Sequence, residues 1–251
     1  MIENHKKLNS NAIKIIAIVA MTIDHIAWAI FPNYSVNALA IIMHTIGRIT
    51  CPIMCYFVAE GFYHTKNIKK YSLRLFIFAL ISHIPYMLMF GSFAEKGAIA
   101  LIPFATGFLN QTSVIWSLFI GLMMLRVAKN EKLSQLLKVE YTLILCVLAL
   151  PADWSCIASL FILCIGTNRG KPLNQILWCL FYTLIYSVVY FFVFSKVYAI
   201  IQLGVILSVP ILFLYNGERG KNIKLNKFMK WFFYAYYPIH LVIISLILIL
   251  C

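Results

Sequence analysis

The sequence predicts an all-α fold: a polytopic transmembrane helical bundle of about nine spans, with its N-terminus on the cytoplasmic side. Three observations predict it. Of the 251 residues, 63% are hydrophobic and only 12% charged, whereas soluble domains run near half apolar and a quarter charged. Apolar runs of roughly 20 residues recur, each long enough as a helix to cross about 30 Å of hydrocarbon. Lys and Arg, finally, gather in alternate loops.

The apolar runs cover residues 12–31, 38–62, 72–90, 110–126, 138–151, 154–167, 174–194, 197–215 and 231–250. The fifth and sixth are short and read equally as one re-entrant hairpin. The count therefore ranges from seven to ten. With the N-terminus inside, the inner flanks hold Lys6, Lys7 and Lys14, then Lys66, Lys69, Lys70 and Arg74. Arg126, Lys129, Lys132 and Lys138 follow, then Arg169 and Lys171, and last Arg219, Lys221, Lys224, Lys227 and Lys230. Only Lys96 and Lys196 fall outside, and Arg48 lies in the bilayer. This asymmetry is what the positive-inside rule requires. It also accounts for the net charge of +13 without nucleic acid as a partner.

Nothing divides the chain by linker, low complexity or repeat, so residues 1–251 read as one integral membrane domain. The longest outer loop, 91–109, contains Gly91, Gly97, Pro103 and Gly107 and could cap a site. Lys6 and Lys7 before an apolar run resemble a leader ending at Ala27-Trp28-Ala29. Asp24 and His25 interrupt that run and argue against cleavage. The seven cysteines fall in or beside apolar runs without a paired CxxC, and read as small buried hydrophobes.

Ionisable groups inside spans are the functional signal, since each opposes insertion by roughly 2.5–3.5 kcal/mol. Asp24 and His25 lie near the middle of the first span. Arg48 lies at similar depth in the second, so Asp24 and Arg48 can meet. His44 is one turn from Arg48. His83 and His240 sit at mid-depth in the third and last spans, and all six could converge. Glu60 and His64 are one turn apart at the inner rim, beside Lys14, Lys66 and Arg74. Blander roles exist for each: a lone membrane His is more often an interhelical hydrogen-bonding group, and Asp24 with Arg48 could be a structural ion pair. The Trp residues mostly suit an interfacial belt.

A buried His oriented by a carboxylate can serve as a general base, with a nearby Arg stabilising negative charge. A cationic inner rim attracts a polyanionic donor such as a coenzyme A thioester. No phosphate loop, HExxH pair or GxSxG elbow is present. The residues allow metal-free acyl transfer, and equally proton-coupled transport.

The chain resembles the TraX family, named for a conjugation protein that acetylates pilin. The resemblance rests on Leu8-Asn9-Ser10-Asn11-Ala12-Ile13-Lys14, Met21-Thr22-Ile23-Asp24-His25, Gly47-Arg48-Ile49-Thr50-Cys51-Pro52 and Glu60-Gly61-Phe62-Tyr63-His64. Arg74 and Asn110 fall at family positions. Tyr215-Asn216-Gly217-Glu218-Arg219-Gly220 and Tyr237-Pro238-Ile239-His240 close the pattern. The resemblance implies a multi-pass protein of a bacterial cytoplasmic (inner) membrane. It would move an acetyl group from cytoplasmic acetyl-CoA to a peptide, amine or glycan acceptor, without a metal. Asp24, His25, Arg48 and His240 would be catalytic; Lys14, His64, Arg74 and Asn110 would bind the donor. Membrane lipids are the expected surroundings, and a homo-oligomer is left open. The rivals are a proton-coupled transporter using the same buried cluster and a non-catalytic membrane scaffold.

Overall fold

The structure is a computed structural model that describes residues 7–90, 97–102 and 109–250. Gly91, Lys96, Pro103, Gly107 and Lys6 lie outside the described residues, as does most of the expected capping loop. All nine apolar segments are helical: α1 (Ser10–Ile30), α2 (Ala38–Gly47) with α3 (Thr50–His64), α4 (Ile68–Met89), α5 (Val114–Ala128), α6 (Gln135–Ala149), α7 (Ser155–Thr167), α8 (Pro172–Val193), α9 (Lys196–Ile201) with α10 (Ser208–Phe213), and α11 (Ile223–Leu250). Six stretches are long and apolar enough to cross a membrane: α1, Ala38–His64, α4, α8, Lys196–Phe213 and α11. The helices α5 and α7 are apolar but shorter.

This is a helical membrane protein. On α8 only Thr183, Tyr186 and Tyr190 are buried, while Phe192 is 80% exposed. A helix so apolar on its outward face is solvated by lipid, and its backbone polar groups are satisfied within the helix. Polar residues start the helices. The Asn9 side chain accepts from the Ala12 amide at 3.0 Å, and Asn67 accepts from Lys70 at 2.9 Å. Each satisfies an amide that a helix start would otherwise leave orphaned.

Two of the expected continuous spans are interrupted, each just upstream of a proline, although α4 and α11 run unbroken through Pro85 and Pro238. Pro52 lacks an amide hydrogen, so the carbonyl of Arg48, four residues before it, has no helical donor. The helix breaks there. The Arg48 amide reaches both His44 and Thr45, and Ile49 bonds Ile46 at 3.1 Å, a tightened turn between α2 and α3. In the eighth segment Pro210 likewise deprives Ile206. The chain winds as a 3₁₀ helix over Gln202–Leu207 between α9 and α10. A 3₁₀ run of that length within a helix is uncommon.

The described chain divides into two compact units, residues 7–54 with 183–240 and residues 55–182 with 241–250. The second is built on α5, which packs against α4, α6 and α7. Small residues allow the closest of these approaches. Gly121 faces the Ser159 Cα and Ile162, where a Cβ would collide. Ser117 and Ser159 share a hydrogen bond of 2.9 Å and bond each other's turns. Small side chains and hydroxyls are the usual means of tight helix contact in lipid. The hairpin between α6 and α7 is pinned where Gln111 and Thr112 donate to Pro151 and Asp153 donates to Thr112.

In the first unit α1 packs on α2, and the 3₁₀ segment packs on α2 as well. Leu8 pairs with Tyr215 in an isolated bridge. Asn11 donates to Asn226 at 2.6 Å, and the Ser10 amide donates to the Glu218 carbonyl at 2.8 Å. The polar runs around residues 8–11 and 215–226 thus tie the start of α1 to the start of α11.

Candidate functional site

The first unit carries two buried polar clusters, both rooted on α1. The first gathers around Asp24. Arg48 approaches its carboxylate with Nη2 at 3.0 Å from Oδ1 and 2.9 Å from Oδ2. His44 Nδ1 lies 2.8 Å from Oδ1 and donates to it, since a carboxylate only accepts. The guanidinium is held further by Nε to the His44 carbonyl at 3.3 Å and Nη1 to Gln202 Oε1 at 3.2 Å. The interrupted helices explain this geometry. The turn after Gly47 brings Arg48 back over α1, and the 3₁₀ segment delivers Gln202 to its other side. Gly47 has no room for a side chain: an added Cβ would overlap Asp24. Gly204 is close to Thr45 and Arg48, though less tightly, with 3.0 Å from an added Cβ to the Thr45 carbonyl oxygen.

His44 and Gln202 are fully buried. Each leaves one nitrogen, Nε2 in both cases, buried without a hydrogen-bond partner among the described residues. The His44 ring sits among aromatic rings, 4.5 Å from Trp28 and 5.2 Å from Tyr198. An ion pair in such surroundings stabilises only when its remaining donors and acceptors are met, and here Asp24 and Arg48 satisfy one another closely.

The second cluster starts at the next residue. His25 Nδ1 lies 2.6 Å from His240 Nε2, and His240 Nδ1 lies 2.8 Å from the Tyr236 carbonyl oxygen. A carbonyl only accepts, so His240 carries its proton on Nδ1. In the neutral pair, its Nε2 then offers a lone pair, and His25 donates to it from Nδ1. The lone pair of His25 is thereby fixed on Nε2. The His25 and His240 rings meet edge to edge through this hydrogen bond, inclined by 21° with centroids 4.8 Å apart, and His240 stacks on Tyr236 with centroids 5.0 Å apart. Tyr237 packs edge-on against both histidines. Tyr236 shares a 2.7 Å hydrogen bond with Thr22, one turn before His25 on α1. Lys14, at the start of the same helix, sits 5.1 Å from the centroid of the Phe233 ring.

The remaining candidates lie in the second unit. His64 Nε2 is 3.1 Å from Glu60 Oε2. Arg169 grips the same carboxylate with Nε at 2.9 Å and Nη2 at 3.1 Å, and this hydrogen bonding raises its pKa above the usual guanidinium value. Arg169 also lies over the Tyr63 ring at 4.6 Å. Arg74 lies 5.7 Å over the Tyr71 ring, and its Nε is buried without a hydrogen-bond partner among the described residues. Asn110 adopts a left-handed backbone, φ 53°, and its carbonyl accepts from Tyr86 at 3.5 Å. His83 is buried and 3.1 Å from Thr112 Oγ1, a structural hydrogen bond from α4 to the segment that leads into α5.

Sequence reasoning brought Asp24 to Arg48 correctly but offered Asp24 equally as the group that orients His25. The carboxylate turns to His44 instead, and His240 takes the His25 nitrogen. Gln202 was missed. Its signal was a lone amide in the apolar run 197–215, two residues from Gly204.

The profile of the TraX protein family matches residues 9–248. The chain belongs to the TraX family. Among its TraX-like relatives, a probable fimbrial assembly protein FimC, serogroup H1, of Dichelobacter nodosus is 28% identical over 237 residues, 92% of each chain. An uncharacterised protein of Rickettsia prowazekii (strain Madrid E) is 30% identical over 102 residues, 41% of this TraX chain and 37% of that protein. No solved structure matches.

Proposed function

We propose that this TraX-family chain is an integral membrane acyltransferase, moving an acetyl group from acetyl-CoA to an amine or hydroxyl acceptor. The observation that carries the reading is the hydrogen-bonded line Tyr236 carbonyl, His240, His25. It supplies a buried imidazole with a defined tautomer and its lone pair on Nε2, the arrangement a general base needs. His25 Nε2 takes the proton from the acceptor N–H or O–H as that atom attacks the thioester carbonyl carbon. The carbon–sulfur bond then breaks, and the departing coenzyme A thiolate receives the proton from His25. His240 holds the base in register.

Asp24 acts on this scheme by fixing Arg48, whose cationic head adds positive potential beside α1 as negative charge develops. Lys14 precedes His25 by eleven residues on one helix, about 16 Å along its axis. That separation suits a donor with phosphates at the basic rim and a thioester deeper in. The donor assignment of Arg74 and Asn110 rests on family position alone, and Asn110, next to the outer loop, lies at the opposite end of its segment from the basic rim. His64 is engaged by Glu60, so its part in donor binding is indirect. The loop charges favour a cytoplasmic N-terminus and a donor entrance on that side. The Dichelobacter relative, named for fimbrial assembly, makes a fimbrial subunit the first acceptor class to try.

The test is binding and transfer with purified protein in lipid nanodiscs and radiolabelled acetyl-CoA. Wild type should bind the donor, and His25→Ala should bind it but transfer far more slowly. Absence of donor binding by wild type would overturn the reading.

One observation favours a second reading. Two helices are interrupted where they face Asp24 and Arg48, and broken helices around buried charges are typical of ion-coupled transporters. Proton-driven uptake into proteoliposomes, without affinity for acetyl-CoA, would select it.

A further inference from the structure

The second unit holds a cavity of about 630 Å³ that neither cluster uses. Its walls come from the end of α3, the start of α4, the end of α5 and the middle of α6. Phe62, Met123, Ile144 and Leu145 make one part of the lining apolar, and Arg126 and Lys129 make another part cationic. Arg126 is only half-buried and is steadied by long contacts of 3.5 Å to Ser72 Oγ and to the Met123 sulfur. Neither partner is an acid, so its charge is not neutralised by these contacts. Ile144 is 55% exposed on the outer face of α6. The apolar side of the cavity therefore continues onto surface that a bilayer covers. Lys69 and Lys70 follow the lining residue Ile68 directly in the chain and belong to the same basic end.

We propose that this cavity binds an anionic glycerophospholipid. The lipid phosphate would lie against Arg126 and Lys129, and an acyl chain would run along Met123, Ile144 and Leu145. The chemistry selects this occupant. A zwitterionic lipid would bring a choline ammonium to a site whose charged lining residues, Arg126 and Lys129, are both cations. A free nucleotide would leave the apolar wall uncovered. Basic pockets between transmembrane helices take anionic headgroups in this way, because the phosphate supplies the missing counter-charge and the chain stays in hydrocarbon. The proposal is independent of acyl transfer and stands or falls on lipid binding alone.

The experiment uses the full chain in phosphatidylcholine nanodiscs with graded phosphatidylglycerol, and counts retained lipid by native mass spectrometry. Wild type should retain phosphatidylglycerol in preference to phosphatidylcholine. Each cation should contribute a factor of roughly five to that preference, so Arg126→Gln with Lys129→Gln should weaken it roughly twenty-five-fold. Ile144→Trp keeps both charges and narrows the apolar wall, and should weaken lipid retention while circular dichroism stays unchanged. Lys196→Gln, in the other unit, should change nothing. Equal retention of the two lipids by wild type would overturn the proposal. Undiminished preference in the double variant or in Ile144→Trp would do the same. Displacement of the lipid by coenzyme A would reassign the cavity to a soluble nucleotide and equally overturn it.

Discussion

Gly47 lies so close to Asp24 that a single added carbon would occupy the space of the carboxylate side chain. The next residue, Arg48, then closes on both oxygens of that carboxylate. The missing side chain at one position and the charge at the next work as a unit. The first lets α2 approach α1, and the second makes the approach favourable.

Gly47→Ala is therefore expected to lower stability by about 1–3 kcal/mol, the usual range for forcing volume into a packed site. Thermal unfolding in detergent micelles, followed by intrinsic fluorescence, checks this. A melting temperature equal to wild type would mean that α1 and α2 do not meet at Gly47.

Asp24→Asn should destabilise by roughly 3 kcal/mol, since it leaves the Arg48 charge buried without its counter-ion. Adding Arg48→Gln should recover part of the loss, because the two residues are coupled. A fully additive double variant would show that the ion pair contributes nothing specific. The same pair of unfolding measurements decides it.

In the neutral state His25 should carry its proton on Nδ1, with His240 protonated on Nδ1 as well. Nitrogen-15 spectra of histidine-labelled protein distinguish the two tautomers directly. His240→Phe should release His25 to a mixture of tautomers. If the chain transfers acetyl groups, His25→Ala should slow transfer by about 10²–10⁴-fold, the range of a lost general base. His240→Phe should slow it less. A His25 protonated on Nε2 in wild type would contradict the relay.

Pro52→Ala restores the amide that the Arg48 carbonyl lacks. Hydrogen exchange should then slow across residues 48–53, as the turn is drawn into continuous helix. The Arg48 side chain would rotate away from Asp24, and stability should fall despite the better local helix. Exchange rates unchanged from wild type would place the cause of the interruption elsewhere.

Much of this was readable from patterns. The apolar segments are helical because hydrophobic length favours it, and six stretches of them are long enough to cross a membrane, against the nine spans expected. Asp24 and Arg48 meet because two charges at one depth in lipid have few other options. The interruptions were harder to read, although Pro52 and Pro210 stand in the sequence. Hydropathy ignores the missing amide, and a proline near a helix start is ordinarily tolerated. The partners of the histidines depend on which way each helix is turned about its axis. Periodicity cannot supply that for helices apolar on most faces. Gln202 follows from the same gap, since an uncharged amide hardly disturbs an apolar run.

The contact between His25 and His240 joins residues 215 positions apart in the chain. At synthesis rates of about 5–20 residues per second, roughly 10–40 s separate the two histidines as they leave the ribosome. The first helix must wait in the bilayer that long for the His25 contact, whereas Asp24 can pair with Arg48 early and gains Gln202 only near the end. A half-made chain therefore has no completed relay. A chain stopped before His240 would keep the pairing of Asp24 with Arg48 and lack the contact that fixes the His25 tautomer.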